Sequence, residues 1–192
     1  RSLKEGLIAN KISKIYGILN GTSNYILSTM DKENKNFDEV LSNAKKLGYA
    51  ETNPSADLNG DDVASKLKIL SSLCFNSFLN HKIYVEGIKD IDKSDIDNAN
   101  KLGYKIKLLG YAELINGKIY QRVHPTLIKK SSYVASIDGV LNAVIVEGKP
   151  VGQSIIQGEG AGPSATTSAL VSDVSSILRG NITFPFSLSE KE

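Results

Sequence analysis

The alternation of apolar and polar positions predicts a helix that begins near Gly60 and carries an apolar stripe along one side. At about 100° per residue, Lys66 and Asp62 fall within the flank of this stripe, whereas Lys68 falls on the polar face. Burying an unpaired ammonium group is costly, and Asp62 lies one helical turn before Lys66. Lys66 therefore needs a partner, and Asp62 is one candidate, with Glu51 and Asp57 in the preceding loop as further candidates. The stripe consists of Val63, Leu67, Leu70 and Cys74, widened by Ile69 and Leu73.

A polar loop precedes this helix and supplies two further carboxylates, Glu51 and Asp57. Three acids and one lysine that converge at a helix start meet the needs of a small ligand with an amine and a hydroxyl group. They equally fit a structural ion pair that closes a loop over a helix end. Spacing alone does not separate these two interpretations.

A strand followed by a tight turn leads into an earlier helix. Residues Lys14–Leu19 are predicted to form the strand and Asn20–Ser23 the turn, with Thr22 or Ser23 capping the helix. Backbone amides at the positive end of a helix dipole can bind a carboxylate. The alternative is an ordinary helix cap, which the spacing alone favours.

Two more helices and a short strand are predicted between these features and the second half of the chain. One helix runs from Phe37 to Gly48, and the other from a cap at Ser94 to about Leu102. The short strand covers Tyr84–Ile88.

The hydrophobic period changes from helix-like to two in the second half of the chain. Strands are predicted over residues 105–115, 118–125, 139–147 and 151–157. The dipeptide Asn116-Gly117 is a two-residue hairpin signal, and residues 147–150 form a second turn. Short turns imply antiparallel neighbours, so the predicted class is α+β with a mixed, largely antiparallel sheet. Helices are expected to cover one face, which leaves the other available for dimerisation.

A glycine-rich corner, Gly158–Gly162, follows the last predicted strand and precedes a helix with apolar positions. The motif G-x-G-x-G is by itself a weak nucleotide-binding signal. A flexible corner is the plainer interpretation.

The composition is that of an ordinary globular domain, since 41% of the 192 residues are hydrophobic and 23% are charged. A net charge of +2 gives no reason to expect nucleic acid or an anionic membrane as a partner. The one cysteine, Cys74, excludes an internal disulfide and suits a reducing, cytoplasmic compartment. It falls on the apolar stripe and is predicted to be an inert core thiol. His81 and His124 stand alone, so no metal site is predicted.

Three segments of the chain carry a resemblance to a known enzyme family. Residues 44–66 read A-x3-G-Y-A-E-x-N-P-x2-D-L-x-G-x-D-x3-K, and residues 17–27 read GILNGTSNYIL. The third runs from VHPTL at 123–127 through DGVLNA at 138–143 to GEGAG at 158–162. In this order the segments are similar to homoserine dehydrogenases, with the first long and specific and the third weaker.

The resemblance implies roles for the lysine and the acids. Lys66 would transfer the proton at the substrate oxygen, Glu51 would hold the substrate ammonium, and Asp57 and Asp62 would orient Lys66 and the hydroxyl group. An apolar flank poor in water would favour loss of the lysine proton, whereas nearby carboxylates favour the charged form. Asn53 stands where many members carry aspartate, and its amide can still accept a hydrogen bond.

The resemblance also implies contacts at the two ends of the substrate. Gly21 and Thr22 would touch its amino-acid end. Gly160, Ala161 and Gly162 would lie beside the nicotinamide end of the cofactor, which is NADP or NAD.

The family's nicotinamide-binding domain precedes the segment that this chain resembles. No strand followed by G-x-G-x-x-G lies near the start of the chain, and its first ten residues look like the tail of a helix. We therefore expect residues 1–180 to form a substrate-binding and dimerisation domain, with residues 181–192 packing on the preceding domain. The expected partners are an amino-acid substrate and a second copy of the chain, and the chain alone is expected to be inactive.

Two rival functions stay open. The chain can be read as a non-catalytic binding or oligomerisation module in which the acid–lysine cluster is only structural. It can also be read as part of a related amino-acid dehydrogenase with another substrate.

Overall fold

The computed structural model describes residues 2–77 and 82–180 of the chain. The described strands are β1 (Lys11–Ile18), β2 (Tyr84–Val85), β3 (Tyr104–Ile115), β4 (Lys118–Lys129), β5 (Leu141–Lys149) and β6 (Gly152–Glu159). The described α-helices are α1 (Gly21–Glu33), α2 (Phe37–Lys46), α3 (Ser55–Asn59), α4 (Asp61–Phe75), α5 (Lys93–Lys101) and α6 (Pro163–Leu178). A π-helical turn covers Ser2–Gly6, and a 3-10 turn covers Tyr133–Ser136.

In the described part of the chain the strands form one sheet in the order β2-β4-β3-β1-β5-β6. Every pairing is antiparallel except that of β2 with β4, which is parallel. The prediction of an α+β fold with a mixed, largely antiparallel sheet is therefore confirmed. The predicted hairpin also forms, since Asn116 and Gly117 both have positive φ angles, 49° and 77°, between the paired strands β3 and β4.

Two strands differ most in length from the prediction. Strand β4 continues through Pro125 to Lys129, because β2 pairs only with Arg122 and Val123 and leaves the proline at an open sheet edge. Strand β2 ends at Val85, before the predicted end, because the chain turns away beneath α3. A Cβ on Gly87 would lie 2.1 Å from the Leu58 carbonyl oxygen, so the two backbones are in contact there.

The helix caps also correct the prediction. Asn20 caps α1 by accepting a hydrogen bond from the Ser23 amide at 2.8 Å, in place of Thr22 or Ser23. Asp92 caps α5 in a capping box with Asp95, and Ser94 instead donates to the Asp92 carboxylate. The amide and carboxylate caps therefore lie two or three residues before the hydroxyl side chains that suggested the boundary.

Helices cover one face of the sheet. Helix α4 packs on β1, β3 and β4, while α1 packs on β3 and β5. The main core lies between these layers and includes Ile15, Ile26, Leu67, Leu108 and Val123. A smaller apolar cluster on the opposite face lies beneath the 3-10 turn and contains Ile18, Leu109, Val134, Ile137, Ala143 and Ile145.

Helix α6 has no buried residue within the described part of the chain. Its apolar side chains are exposed, notably Leu170, Val174 and Ile177. No described helix is long and apolar enough to cross a lipid bilayer. Residues 181–192, which were expected to pack on a preceding domain, lie outside the described residues, and so does His81.

Candidate active site

A polar cavity of about 560 Å³ opens where the start of α1, the start of α4, the loop after α2 and the glycine-rich corner meet. We call it the polar cavity. It is lined by Asn20, Gly21, Thr22, Leu47, Gly48, Tyr49, Glu51, Asp57, Asp62, Lys66, Val140, Asn142, Glu159, Gly160, Ala161 and Gly162. Every residue that the sequence analysis assigned to substrate, proton transfer or cofactor lines this one cavity, although these residues come from four separate parts of the chain.

Lys66 lies one turn into α4 and is held by two partners. Its ammonium group lies 2.7 Å from Asp62 Oδ2 and donates to the Leu19 carbonyl oxygen at 3.0 Å. Of the three candidate partners, Asp62 therefore forms the ion pair. The second partner ties α4 to the end of β1, which fixes the ammonium group at the wall of the cavity.

The surroundings of Lys66 are wetter than predicted, because 44% of its side chain is exposed in this chain. The neighbouring Ile69 on the same helix flank is exposed as well. The apolar flank that the periodicity places around Lys66 is real, but no described element packs over it. The expectation of a site poor in water around Lys66 is therefore wrong for this chain by itself.

Asn20 joins the acids to the turn that begins α1. Its side-chain amide donates to Asp57 Oδ1 at 2.7 Å and to Asp62 Oδ2 at 2.9 Å, while its oxygen caps the helix. Asp57 therefore reaches Lys66 only through Asn20 and Asp62, rather than by direct contact. The sequence analysis read Asn20 as a turn residue and missed its bridging position.

The wall formed by α1 is in close backbone contact with the chain that enters β5. A Cβ on Gly21 would lie 2.8 Å from the Val140 carbonyl oxygen, so glycine permits this approach. Thr22 donates its hydroxyl to the Tyr49 carbonyl oxygen at 2.7 Å, and the Tyr49 ring lies 5.0 Å from that of Tyr25. The loop that carries Glu51 is thereby fastened to α1.

Asn53 does not line the polar cavity. Its side-chain oxygen accepts hydrogen bonds from the Ser55 hydroxyl at 2.6 Å and from the Ser55 amide at 3.3 Å. These bonds organise the start of α3, a short helix that the sequence analysis read as loop. The amide at position 53 therefore serves local structure.

The glycine-rich corner closes the far side of the cavity. A Cβ on Gly160 would lie 1.9 Å from Asn142 Nδ2, so the backbone of the corner lies directly against that side chain. Asn142 Oδ1 is buried and has no hydrogen-bond partner among the residues that the structure describes. Gly162 has a φ of 105° and precedes Pro163, the first residue of α6. The result is a stretch of exposed backbone that a large ligand can approach closely.

An apolar groove of about 280 Å³ adjoins the polar cavity and shares Lys66 and Asn142 with it. The other residues that line it are Leu19, Ile69, Leu70 and Val144. A polar compartment and an apolar compartment therefore meet at the lysine.

The carboxylates outnumber the cations around the polar cavity. Glu51, Asp57, Asp62 and Glu159 line it together with a single lysine. Such a lining favours a ligand that carries an ammonium group. Glu159, Tyr49 and Asn142 were missed as lining residues, although all three lie within the motifs quoted above.

The remaining candidate side chains take no part in the cavity. Cys74 packs against the main core, and burial raises the pKa of its thiol to about 12. His124 contacts the Pro125 carbonyl oxygen and Thr126 on β4. Within residues 2–77 and 82–180, no three histidine, cysteine or carboxylate side chains are grouped as a metal site requires.

Comparison with known proteins decides the family, because the homoserine dehydrogenase family model matches residues 1–175. The chain belongs to the homoserine dehydrogenase family. A homoserine dehydrogenase of Neisseria gonorrhoeae is 47% identical over 180 residues, which are 93% of this chain and 41% of that protein. The chain therefore spans about two fifths of the length of such relatives.

Solved structures of homoserine dehydrogenases share the fold. The enzyme from Thiobacillus denitrificans matches with a TM-score of 0.90 and 45% identity, over 96% of this chain and 43% of that chain. A hyperthermophilic archaeal homoserine dehydrogenase mutant in complex with NADPH matches with a TM-score of 0.77 and 26% identity. That match covers 93% of this chain and 51% of the archaeal chain.

Proposed function

We propose that this chain supplies the substrate-binding and catalytic part of a homoserine dehydrogenase. The reaction is the interconversion of L-homoserine and L-aspartate 4-semialdehyde with NAD or NADP, in the biosynthesis of threonine, methionine and isoleucine in the cytoplasm. Membership of the family supports the reaction class. The observation that carries the proposal is the convergence of Lys66, Glu51, Asp62 and the start of α1 on one cavity.

Lys66 is the proposed proton-transfer residue. Asp62 and the Leu19 carbonyl fix its ammonium group at the cavity wall, where it can meet a substrate oxygen. In aldehyde reduction the ammonium group donates a proton to that oxygen, and in alcohol oxidation the neutral amine accepts it. Asn20 orients Asp57 and Asp62, which in turn hold the lysine and the substrate hydroxyl.

The amino-acid end of the substrate is held by opposite charges. Glu51 binds the ammonium group from the loop after α2. The first-turn amides of a helix have no partner within the helix and favour anions, so those around Gly21 and Thr22 receive the carboxylate. This pairing directs the other end of the substrate toward Lys66.

The cofactor proposal rests on the glycine-rich corner. Gly160, Ala161 and Gly162 offer exposed backbone at the rim of the polar cavity, which fits close approach by a dinucleotide. NAD or NADP, when bound, supplies the redox step by accepting or donating a hydride. A relative has been solved in complex with NADPH, which is consistent with this assignment.

We also propose a homodimer through the outer face of the sheet. Arg122 lies 4.8 Å above the Tyr111 ring on this face, and the rings of Tyr16 and Tyr111 are 6.2 Å apart. Tyrosine and arginine are enriched in protein interfaces. Sedimentation should give a dimer, and Arg122→Glu should shift the mass toward monomer; a monomeric wild-type protein would contradict the dimer.

The domain proposal follows the same family pattern. Residues 1–180 form the substrate-binding and dimerisation domain, which joins a nicotinamide-binding domain. Helix α6 supports this division, because its exposed apolar side chains need a covering partner.

The decisive experiment is a substrate panel with the complete enzyme that joins this chain to its nicotinamide-binding domain. Homoserine-dependent reduction of NAD or NADP supports the proposal. Higher kcat/KM for another amino alcohol or amino acid would favour the related dehydrogenase. The chain of residues 1–192 alone should give no turnover.

A binding measurement separates the enzyme from a structural module. Glu51→Gln in the complete enzyme is expected to weaken homoserine binding by roughly tenfold or more, since a hydrogen bond to a charged group contributes about 1.5–3 kcal/mol. Glu39→Gln is the matched control, because Glu39 pairs with Lys35 on α2 and does not line the cavity. Equal binding by both variants would favour the structural module.

A further inference from the structure

A second lysine, Lys107, lies buried behind the polar cavity and takes no part in the proposed chemistry. Lys107 lies on β3, just beyond the point where β1 ends. Only 1% of its side chain is exposed. Its ammonium group donates to Asn24 Oδ1 at 3.0 Å, to the Ile137 carbonyl oxygen at 2.6 Å and to Asp138 Oδ1 at 2.8 Å. All three ammonium donors are therefore satisfied.

These three acceptors belong to the two segments that carry opposite walls of the polar cavity, although they do not line it themselves. Asn24 lies on α1, one turn after Gly21, and the carbonyl of Ile137 and carboxylate of Asp138 belong to the segment that enters β5. That segment continues into Val140 and Asn142, which line the cavity. The ammonium group thus sits at the junction between the wall that holds Gly21 and the wall that holds Val140.

Further contacts fasten the same two walls. The Asn24 amide donates to the carbonyl oxygens of Ile137 and Leu141, both at 3.1 Å. The Gly139 amide donates to the Ser28 hydroxyl at 3.0 Å. Because Lys107 orients Asn24 through the side-chain oxygen, loss of the ammonium group frees the amide that holds the segment.

We propose that Lys107 is a positioning residue that sets the separation of the two cavity walls and so shapes the subsite for the amino-acid end of the substrate. This inference rests on the proposed function. Lys107 contacts neither Lys66 nor the glycine-rich corner among its hydrogen bonds in the described structure. Its loss should therefore affect binding of homoserine more than the proton transfer or cofactor binding.

Steady-state kinetics of the complete enzyme test the inference. Lys107→Met, which keeps an unbranched side chain one atom shorter but removes the three donors, is expected to raise the KM for homoserine tenfold or more. The kcat should change less than threefold and the KM for NAD or NADP less than twofold. Lys107→Arg, which keeps the charge and donors, should recover part of the affinity for homoserine.

The matched control is Lys105→Met. Lys105 reaches Asp138 and Asp31 at 3.4 Å without touching Asn24 or the Ile137 carbonyl, so this variant should keep a homoserine KM within twofold of wild type. Where Lys107→Met does not fold, Asp138→Asn carries the test with an expected rise of at least threefold in the same KM.

Two results overturn the inference. One is an unchanged homoserine KM in the folded variant, and the other is an equal loss in kcat and in the KM of both substrates, as general loosening of the fold would produce. Failure of the proposed function is recognised separately, because the wild-type enzyme would then not oxidise homoserine at all.

Discussion

The ammonium group of Lys66 lies 2.7 Å from the carboxylate of Asp62, one turn earlier on α4. Asp62 also accepts a hydrogen bond from Asn20, which in turn holds Asp57. The lysine is thus oriented by a chain of contacts that begins at the first turn of α1.

Lys66→Ala should lower kcat of the complete enzyme by about a hundredfold or more while changing homoserine affinity far less. The reason is that general acid–base steps contribute about that factor. Initial rates with saturating homoserine and a calorimetric Kd measure the two quantities. Lys68→Ala is the control, since Lys68 does not line the polar cavity. A Lys66→Ala enzyme within about threefold of wild-type turnover would exclude the proton-transfer role.

Gly160→Ala should raise the KM for NAD or NADP, because the new methyl group would meet Asn142 Nδ2 at 1.9 Å and force the corner or the amide to move. Gly158→Ala is a close control two residues away, where a Cβ meets nothing within 4 Å. The two variants are compared by varying the cofactor at fixed homoserine. Equal KM values for the cofactor in the two variants would show that the glycine-rich corner takes no part in cofactor binding.

Asp138 should make folding stability depend on pH in the acid range. Burial by itself raises the pKa of Asp138, but the hydrogen bond and charge of Lys107, with Lys32 and Lys105, outweigh it and lower the pKa below 3.8. Burial also disfavours the charged form of Lys107 and lowers its pKa, although the neighbouring Asp138 carboxylate acts in the opposite direction. A carboxylate with a lowered folded pKa contributes stability above its unfolded pKa, and this is lost as the pH falls through the folded value.

The measurement is urea unfolding of wild type and Asp138→Asn from neutral pH to about pH 3. The difference in the free energy of unfolding should be largest at neutral pH and should shrink as the pH falls below the unfolded pKa. A difference that stays constant over this range would show that the Asp138 charge contributes nothing.

Cys74 should resist alkylation in the folded protein. Burial raises the pKa of its thiol to about 12, so the reactive thiolate at about pH 8 is roughly a thousandfold scarcer than in an exposed cysteine. Iodoacetamide labelling followed by mass spectrometry should be slow in buffer and fast in denaturant. Rapid labelling of the native protein would contradict the burial of this helix face.

The parts of the fold that depend on local chemistry could be predicted from the sequence. Strands β3 and β5, the Asn116-Gly117 turn and the buried positions Val63 and Leu67 on α4 depend on neighbours in the chain, and the structure has all three. The family motifs named nine of the residues that line the polar cavity. Their common location could not come from spacing, because it requires the sheet order that brings β5 beside β1.

The missed features depend on contacts between distant segments. The sequence offers Thr22 and Ser23 as caps of α1. Asn20 is the cap instead, because its side-chain amide is also held by hydrogen bonds to Asp57 and Asp62. Strand β4 passes through Pro125 because the edge position leaves no ladder bond to lose there. The exposure of Lys66 depends on what covers α4, and a helical periodicity contains no information on that.

Asn20 has a consequence for how the enzyme would fail on heating. One side-chain amide both starts α1 and joins the acids that hold the lysine, so fraying of the first turn of α1 and dispersal of the acid–lysine cluster are a single event. Activity lost on warming would then return on cooling as fast as the helix reforms, with no separate step to rebuild the cluster.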